Sequence, residues 1–389
     1  MFEATEFQYT SFDLLWMVAI VYCLARLLRR GDTPVNERWW IVIGGLAGVG
    51  LETKYSMAFY LVALALGLLL TPARRYFRSR WLWYGVGVAF LIALPNLVWQ
   101  WRHDWISLSF LRFIHARDIG EGRGQGFWLD QFRINAPLLV APLWIAGAVW
   151  LFPQRRFRLL GWAFALVVAI LWGLRGRGYY TAAVYPPALA AGAVWWEGAL
   201  RATARLRARV AQAVTLALLL AGGFLTGRAV LPLGAASATN YALRRNGDLR
   251  EEIGWNEMVR EVARIWNQLP ASQRGHAVIL TFNYGETCAI DLLGPRYGLP
   301  QAVSPVKSFW YRGYGGSPPE TEIVLGVTPA NANALFQGGR VAGHDGNRYG
   351  IHNEESDSHP EIFLCGRLRG RRWGTWPALW KYMQYRTFG

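Results

Sequence analysis

From Trp39 to Thr71 the chain runs through thirty-three residues that are almost entirely apolar. Apolar runs of 17 or more residues recur along its first 230 positions, long enough for helices to cross the hydrocarbon of a bilayer. A backbone in lipid must satisfy its own N–H and C=O groups, which leaves helices or closed barrels. These runs have helical length. They predict a polytopic α-helical membrane protein with eight spans, at 11–28, 39–53, 56–71, 81–99, 135–152, 158–174, 180–198 and 208–228.

The formal charge of +16 would suggest a nucleic-acid partner in a soluble chain. Here the cations are distributed by topology. Of the 24 Lys and Arg before position 240, 15 lie in every second loop: Arg26, Arg29, Arg30 and Arg38; Arg74, Arg75, Arg78 and Arg80; Arg155, Arg156 and Arg158; Arg201, Arg205, Arg207 and Arg209. This is the positive-inside pattern of cytoplasmic loops, so no nucleic-acid partner is expected. It places the N-terminus, the 54 region, the 101–134 and 174–180 loops and everything after 229 outside the cytoplasm.

GLETKYSM, residues 50–57, puts Glu52 and Lys54 in the middle of the longest apolar stretch. A charge at a bilayer centre costs about 2.5–3.5 kcal/mol on insertion scales. Thirty-three residues suit two short helices joined by a tight outer turn, with the charges at the membrane surface or in a watered cavity. Lys54 is one of only three lysines among 41 cationic side chains, so lysine is not the default cation here. Two readings fit: a turn whose ammonium meets lipid headgroups, or a dedicated anion site. Gly44, Gly45, Gly48 and Gly50 provide the small-xxx-small spacing of close helix contacts. No strand precedes them, which disfavours a phosphate-binding glycine loop. Pro95, Pro137, Pro142, Pro186 and Pro187 mark kinks or helix starts.

After Val230 the composition changes, with 17 basic and 14 acidic residues over 240–389. IGWNEMVREVARIWNQL (253–269) has helical apolar spacing. HAVIL (276–280), TEIVLGV (321–327) and EIFLC (361–365) read as buried strands, with helices near 285–293, 330–337 and 375–383. The expectation is an extracytoplasmic α/β domain over 240–389, beside a transmembrane domain over 1–229. Cys288 and Cys365 fall in this outer domain, where an oxidising compartment permits a disulfide; Cys23 falls in a helix as a small core residue.

The outer face of the membrane half carries Arg102, Arg112, Arg117, Arg123, Arg133, Arg175 and Arg177, against the positive-inside bias. Arg175 and Arg177 stand directly ahead of a segment bearing Tyr179, Tyr180 and Tyr185. Cations backed by aromatics suit a phosphate ester bearing a lipid tail and a sugar; nonspecific headgroup binding is the plainer alternative. His103, Asp104, His115 and Asp118 share one loop without metal-ligand spacing, and no metal or cofactor is expected.

GLAGVGLETKYSMAF resembles the helix–TK–helix hairpin of the polyprenyl-phosphate-dependent glycosyltransferases of the GT-C superfamily. It is most similar to the bacterial branch related to protein O-mannosyltransferases and to the aminoarabinose transferase acting on lipid A. The acidic helix start TSFDLLW, the outer loop ending FWLDQF, and RGRGYYTAAVYPPAL follow in family order. NYGETCAIDLLGPRYGLP and NRYGIHNEE with EIFLC resemble the outer domain of a bacterial subgroup. The resemblance implies sugar transfer from a polyprenyl monophosphate to an acceptor hydroxyl at the periplasmic face of a bacterial inner membrane, with a carboxylate as general base. It implies that Lys54 binds the donor phosphate, assisted by Arg175 and Arg177. Asp13, Glu52, Tyr55, Arg112, Arg117, Tyr179, Tyr180 and Tyr185 would then line the donor and acceptor cavity. Glu52 has no family counterpart and is expected to pair with Lys54.

One departure bears on catalysis. The family begins with a helix, an outer loop bearing the catalytic carboxylate, and two further helices, and TSFDLLW follows only then. Here that segment stands at residues 10–16, so the base is expected upstream of Met1, and neither Asp13 nor Glu3, Glu6 or Glu52 is expected to replace it. Three explanations fit: a start at an internal Met or sequence break, a short form completed by another chain, or a non-catalytic relic that still binds polyprenyl phosphate. The rival functions are a flippase for lipid-linked sugar, which would show paired half-helices in two related halves, and a binding or scaffolding protein.

Overall fold

The computed structural model describes residues 8–29, 37–231, 233–237, 239–313 and 319–369. Glu3, Glu6, Arg30 and the helix expected near 375–383 lie outside the described residues. The chain divides into two compact units, Met1–Val230 and Leu231–Gly389.

Among the described residues of the first unit nine helices longer than one turn follow one another: α1 (Tyr9–Arg29), α2 (Trp39–Thr53), α3 (Ser56–Leu69), α4 (Arg80–Arg102), α5 (Ile106–Gly120), α6 (Ala141–Leu151), α7 (Arg158–Gly173), α8 (Tyr185–Arg201) and α9 (Arg205–Val230). Short 3₁₀ turns at Pro72–Arg78, Leu138–Val140 and Gly178–Val184, a helical turn at Phe127–Asp130 and a π-helical turn at Gln131–Asn135 stand between them. Eight of the nine occupy the expected apolar runs; α5 lies in the 101–134 loop. Their reach is unequal. Among the described residues α1, α4 and α9 are long and apolar enough to cross a membrane, and up to five spans result if each of two bent helix pairs counts as one. Helices α2 and α7, with 15 and 16 residues, rise about 22–24 Å, short of a hydrocarbon core of about 30 Å.

Close backbone contact sets the packing. A Cβ on Gly44 of α2 would lie 2.0 Å from the carbonyl oxygen of Gly85 on α4, and one on Gly85 would lie 2.1 Å from that of Trp40. Gly48 meets Ala89 one turn further along, so small residues four apart on each helix let the two backbones touch. Gly147 of α6 and Gly192 of α8 make a second such contact. Gly45 faces open space and Gly50 meets the Met57 side chain, so two of the four expected contact glycines, Gly44 and Gly48, join α2 to α4. The core gathers Ile20, Leu24 and Leu27 of α1, Met57, Tyr60 and Leu64 of α3, and Leu159 and Val167 of α7.

The second unit is built on α10 (Trp255–Gln268), β1 (Ala277–Thr281), α11 (Tyr284–Leu293), β2 (Thr321–Leu325), α12 (Pro329–Leu335), β3 (Arg340–His344) and β4 (Glu361–Gly366). The sheet order is β1-β2-β4-β3, with β1 parallel to β2 and the other two pairings antiparallel. Alternation divides the strands between two cores. Ile279, Ile323 and Ile362 meet Met258, Val262 and Ile265 of α10, while Leu280, Val324, Phe363 and Cys365 pack with Phe336. The sequence reading missed β3. RVAGH is a half-exposed edge strand carrying a glycine and a register irregularity, so it lacks the apolar alternation that reveals a strand. Cys288 is exposed and Cys365 buried, both as free thiols.

Glu322 sits in the middle of β2, fully buried, opposite Cys365. Neither carboxylate oxygen has a hydrogen-bond partner, and burial pushes its carboxyl up to about 8. Burial also raises Glu355, to about 7, and Asp345, to about 6. A carboxyl raised in the folded state binds its proton more tightly there. Its stabilising effect is therefore complete below the ordinary value of 4.5 and is lost as pH rises through the folded value. Thermal melts of the detergent-solubilised chain from pH 5 to pH 8 are expected to show falling stability of the second unit. Glu322→Leu should reduce that slope by an amount on the order of a few kcal/mol across the window, and an unchanged slope would contradict the assignment.

Candidate functional site

Helix α2 ends at Thr53 and α3 begins at Ser56. Between them Lys54 takes an extended conformation, φ −158 and ψ 139, while its N–H still bonds the Gly50 carbonyl at 2.9 Å. A two-residue break, Lys54 and Tyr55, between two apolar helices turns this side chain off the ridge of both. Its ammonium lies over three tyrosine rings, 5.1 Å from the centroid of Tyr9, 5.1 Å from Tyr180 and 5.7 Å from Tyr179. These distances are within cation–π range, where the negative ring faces offset part of the desolvation of the cation. Burial, and then Tyr180, hold the Tyr179 phenol well above its ordinary value, so it presents a neutral ring.

Helix α1 is stitched to this break. Ser56 Oγ donates to Asp13 Oδ2 at 2.5 Å, and Trp16 Nε1 donates to Thr53 Oγ1 at 3.1 Å. Asp13 is buried, one helical turn beyond Tyr9, and its Oδ1 has no hydrogen-bond partner. The spacing of four puts Tyr9 and Asp13 on one face of α1.

Tyr179 and Tyr180 come from the 3₁₀ turn Gly178–Val184, which a second layer of side chains fixes in place. Arg177 donates to Asp118 of α5 through Nε and Nη2, both at 2.8 Å. Arg117 and Arg123 approach the same carboxylate at 3.6 and 3.7 Å, and Arg123 also pairs with Glu121 at 2.6 Å. Burial would raise the Asp118 carboxyl, but Arg177, with Arg117 and Arg123, outweighs it and holds it below the usual carboxylate range. In return the bond from Asp118 raises the Arg177 guanidinium. Gly178 is where the two segments touch: a Cβ there would lie 2.4 Å from Asp130 Cβ. Asn135 Nδ2 donates to the Gly178 carbonyl at 2.9 Å, and Thr181 and Tyr185 both donate to Gln131 Oε1 at 2.6 Å.

The structure thus gathers Lys54, Asp13, Tyr179 and Tyr180 in one place, with Arg177 and Arg117 in the ion network beside them. Other expected residues lie elsewhere. Glu52 accepts from Asn96 of α4 at 3.5 Å, so its carboxylate turns to α4 and does not pair with Lys54. The Tyr55 hydroxyl binds Gln100 and Asn96, also on α4. Arg112 is exposed on α5, and Arg175 is exposed at φ +52. Tyr185 is buried between Trp144 and Phe164. Tyr9, Ser56 and Gln131 were not anticipated; Tyr9 was readable from its position one turn before Asp13. Among the described residues no His, Cys, Asp and Glu group could hold a metal ion.

A folded value below the ordinary one means that Asp118 stabilises above the ordinary carboxylate range, and that this is lost as pH falls through the folded value. At neutral pH, Asp118→Asn should speed tryptic cleavage at Arg112, Arg117 and Arg123 roughly tenfold, the consequence of losing charge-assisted hydrogen bonds. Asp118→Glu should restore much of the protection. Equal cleavage of Asp118→Asn and the native chain would show that the ion network does not hold the loop.

Residues 2–99 match the family described as dolichyl-phosphate-mannose-protein mannosyltransferase, a region that includes Tyr9, Asp13, Lys54 and Ser56. Over 141 residues the chain is 36% identical to the lipid A galacturonosyltransferase RgtD of Rhizobium johnstonii, a match covering 35% of this chain and 28% of that relative's length. No solved structure matches. The family match spans about a quarter of the chain and takes in the break at Lys54; there, and over the part shared with the relative, the chain is similar to the GT-C superfamily of membrane glycosyltransferases.

Proposed function

We propose that this chain serves the transfer of a sugar from a polyprenyl monophosphate to an acceptor hydroxyl at the outer face of a bacterial plasma membrane, with Lys54 receiving the donor's phosphate. The observation that carries this reading is the Lys54 ammonium among Tyr9, Tyr179 and Tyr180, at a break between two apolar helices. A polyprenyl carrier places its tail in hydrocarbon and its phosphate at the membrane edge, so a cation that recognises it belongs at the end of an apolar hairpin. When the acceptor oxygen attacks the anomeric carbon, negative charge builds on the departing phosphate. A fixed ammonium stabilises that charge without needing to protonate it.

In this reading Asp13, held by Ser56, orients the cation rather than acting as base. Arg177 raises the positive potential at the same mouth while Asp118 fixes its direction. Arg112, Arg175, Glu52, Tyr55 and Tyr185 have no part in phosphate binding. The alternating arginine loops support an outward-facing Lys54 turn and an extracytoplasmic second unit. The relative's activity toward lipid A makes a lipid-borne hydroxyl the first acceptor to test.

The test of binding uses purified chain in detergent with radiolabelled polyprenyl phosphate. Donor consumption is measured in membranes in which the chain is joined to an upstream outer loop bearing the carboxylate base that the resemblance calls for, supplied with a sugar-labelled polyprenyl phosphate donor. Lys54→Ala is expected to weaken polyprenyl phosphate binding at least tenfold and to lower donor consumption by about 10²-fold or more; Lys54→Arg should retain part of both. Unchanged binding in Lys54→Ala would overturn the role of Lys54. Donor that crosses the bilayer with its sugar still attached would replace sugar transfer with transport.

A further inference from the structure

The second unit carries a surface that sugar transfer does not use. Along α11, Tyr284, Cys288 and Leu292 stand four residues apart, and all three are exposed, Tyr284 at 51% and Leu292 at 77%. Spacing of four puts them on one face of the helix. A large apolar side chain exposed to that degree has a reason when its neighbours are apolar too. The 3₁₀ turn Lys307–Arg312, KSFWYR, is joined to this helix by Lys307 over Tyr284 and Arg312 on Asp291, and it carries an exposed Tyr311 beside a half-buried Phe309, while Trp310 packs against the core.

Cations border this apolar face. Lys307 is held at φ +53, a costly conformation for a residue with a Cβ, and its ammonium lies 3.3 Å from the Tyr284 ring centroid. Arg312 lies over Phe309 at 4.4 Å and bonds Asp291 at 2.6 Å, and Arg296 is exposed just beyond the helix. One carboxylate therefore stands among three cations. Tyrosine and tryptophan interleaved with lysine and arginine is the composition of membrane–water interfaces, where the rings sit at headgroup depth and the cations meet anionic lipid.

We propose that the Tyr284–Cys288–Leu292 face of α11, with the Lys307–Arg312 turn, rests on the anionic phospholipid surface of the membrane that holds this same chain. Two features select lipid as the occupant. The face is cationic and aromatic, complementary to phospholipid headgroups. The unit also follows directly on α9, with the helical turn Tyr241–Arg245 beginning eleven residues after Val230. So short a tether gives the bilayer a high effective concentration and makes weak surface contacts sufficient.

Cys288 is the exposed cysteine among three, Cys23 and Cys365 being buried, so it takes a fluorophore selectively. The full chain, labelled there, is placed in nanodiscs with nitroxide-headgroup lipid, made either with phosphatidylglycerol or with phosphatidylcholine alone. A Cys288→Ser, Gln273→Cys chain, labelled on the exposed helical turn Ala271–Arg274, is the control. Quenching at Cys288 is expected to exceed the control in phosphatidylglycerol discs and to fall in phosphatidylcholine or high salt. Lys307→Glu should lower the docked-to-free ratio roughly fivefold or more, and adding Arg296→Glu should lower it further. Quenching no greater than the control, or indifferent to lipid charge, would overturn the proposal. Cys288-linked dimers of the unlabelled chain would assign the face to a second copy instead.

Discussion

The first unit depends on how an ammonium is accommodated at the end of an apolar hairpin. A lysine at mid-bilayer would cost about 2.5–3.5 kcal/mol on insertion scales, and nothing in the hairpin's own helices repays that. The solution is geometric. One extended residue between α2 and α3 lifts Lys54 away from both helices, and three tyrosine faces from two distant segments receive it. Each ring is worth about 0.5–2 kcal/mol depending on desolvation, so the three together are comparable with the insertion cost. The glycine contact of Gly44 with Gly85, at the other end of α2, holds the hairpin against α4.

Tyr179 and Tyr180 are in turn set by a second layer of contacts. Gly178 lets the RGRGYY segment lie against Asp130 and Phe127 with no side chain between them. Asp118 meanwhile collects Arg177, Arg117 and Arg123. Three guanidinium groups on one mostly buried carboxylate, with Glu121 beside it, leave a positive balance at the mouth of the site. That balance suits the anionic donor of the proposed function. The cage and the ion network are thus two layers of one arrangement, joined through the four residues from Arg177 to Tyr180.

Much of this was legible in the sequence where hydropathy or a chemical oddity carried the signal. Eight apolar runs became eight helices, because a backbone in lipid has little alternative to helix. Lys54 stood out because an ammonium interrupts such a run, and the match over residues 2–99 bears on the same hairpin. Direction of side chains was not legible. Glu52 lies two residues from Lys54, yet it sits within α2 and turns to Asn96. Tyr185 follows Tyr180 closely, yet as the first residue of α8 it enters the core beside Trp144. The strand β3 escaped because an exposed edge with a glycine has no apolar alternation. The Asp118–Arg177 bond joins positions 59 residues apart, which no local pattern could indicate.

The most direct measurement uses the scarcity of lysine in this chain. Intact spheroplasts are treated with a membrane-impermeant amine-acylating reagent, with and without added polyprenyl phosphate, and Lys54 and Lys307 are read by mass spectrometry. The account predicts that Lys54 is acylated from outside and is protected by polyprenyl phosphate, while Lys307 is not protected by it. Acylation of Lys54 only after the cytoplasmic face is opened, or acylation indifferent to polyprenyl phosphate, would contradict it.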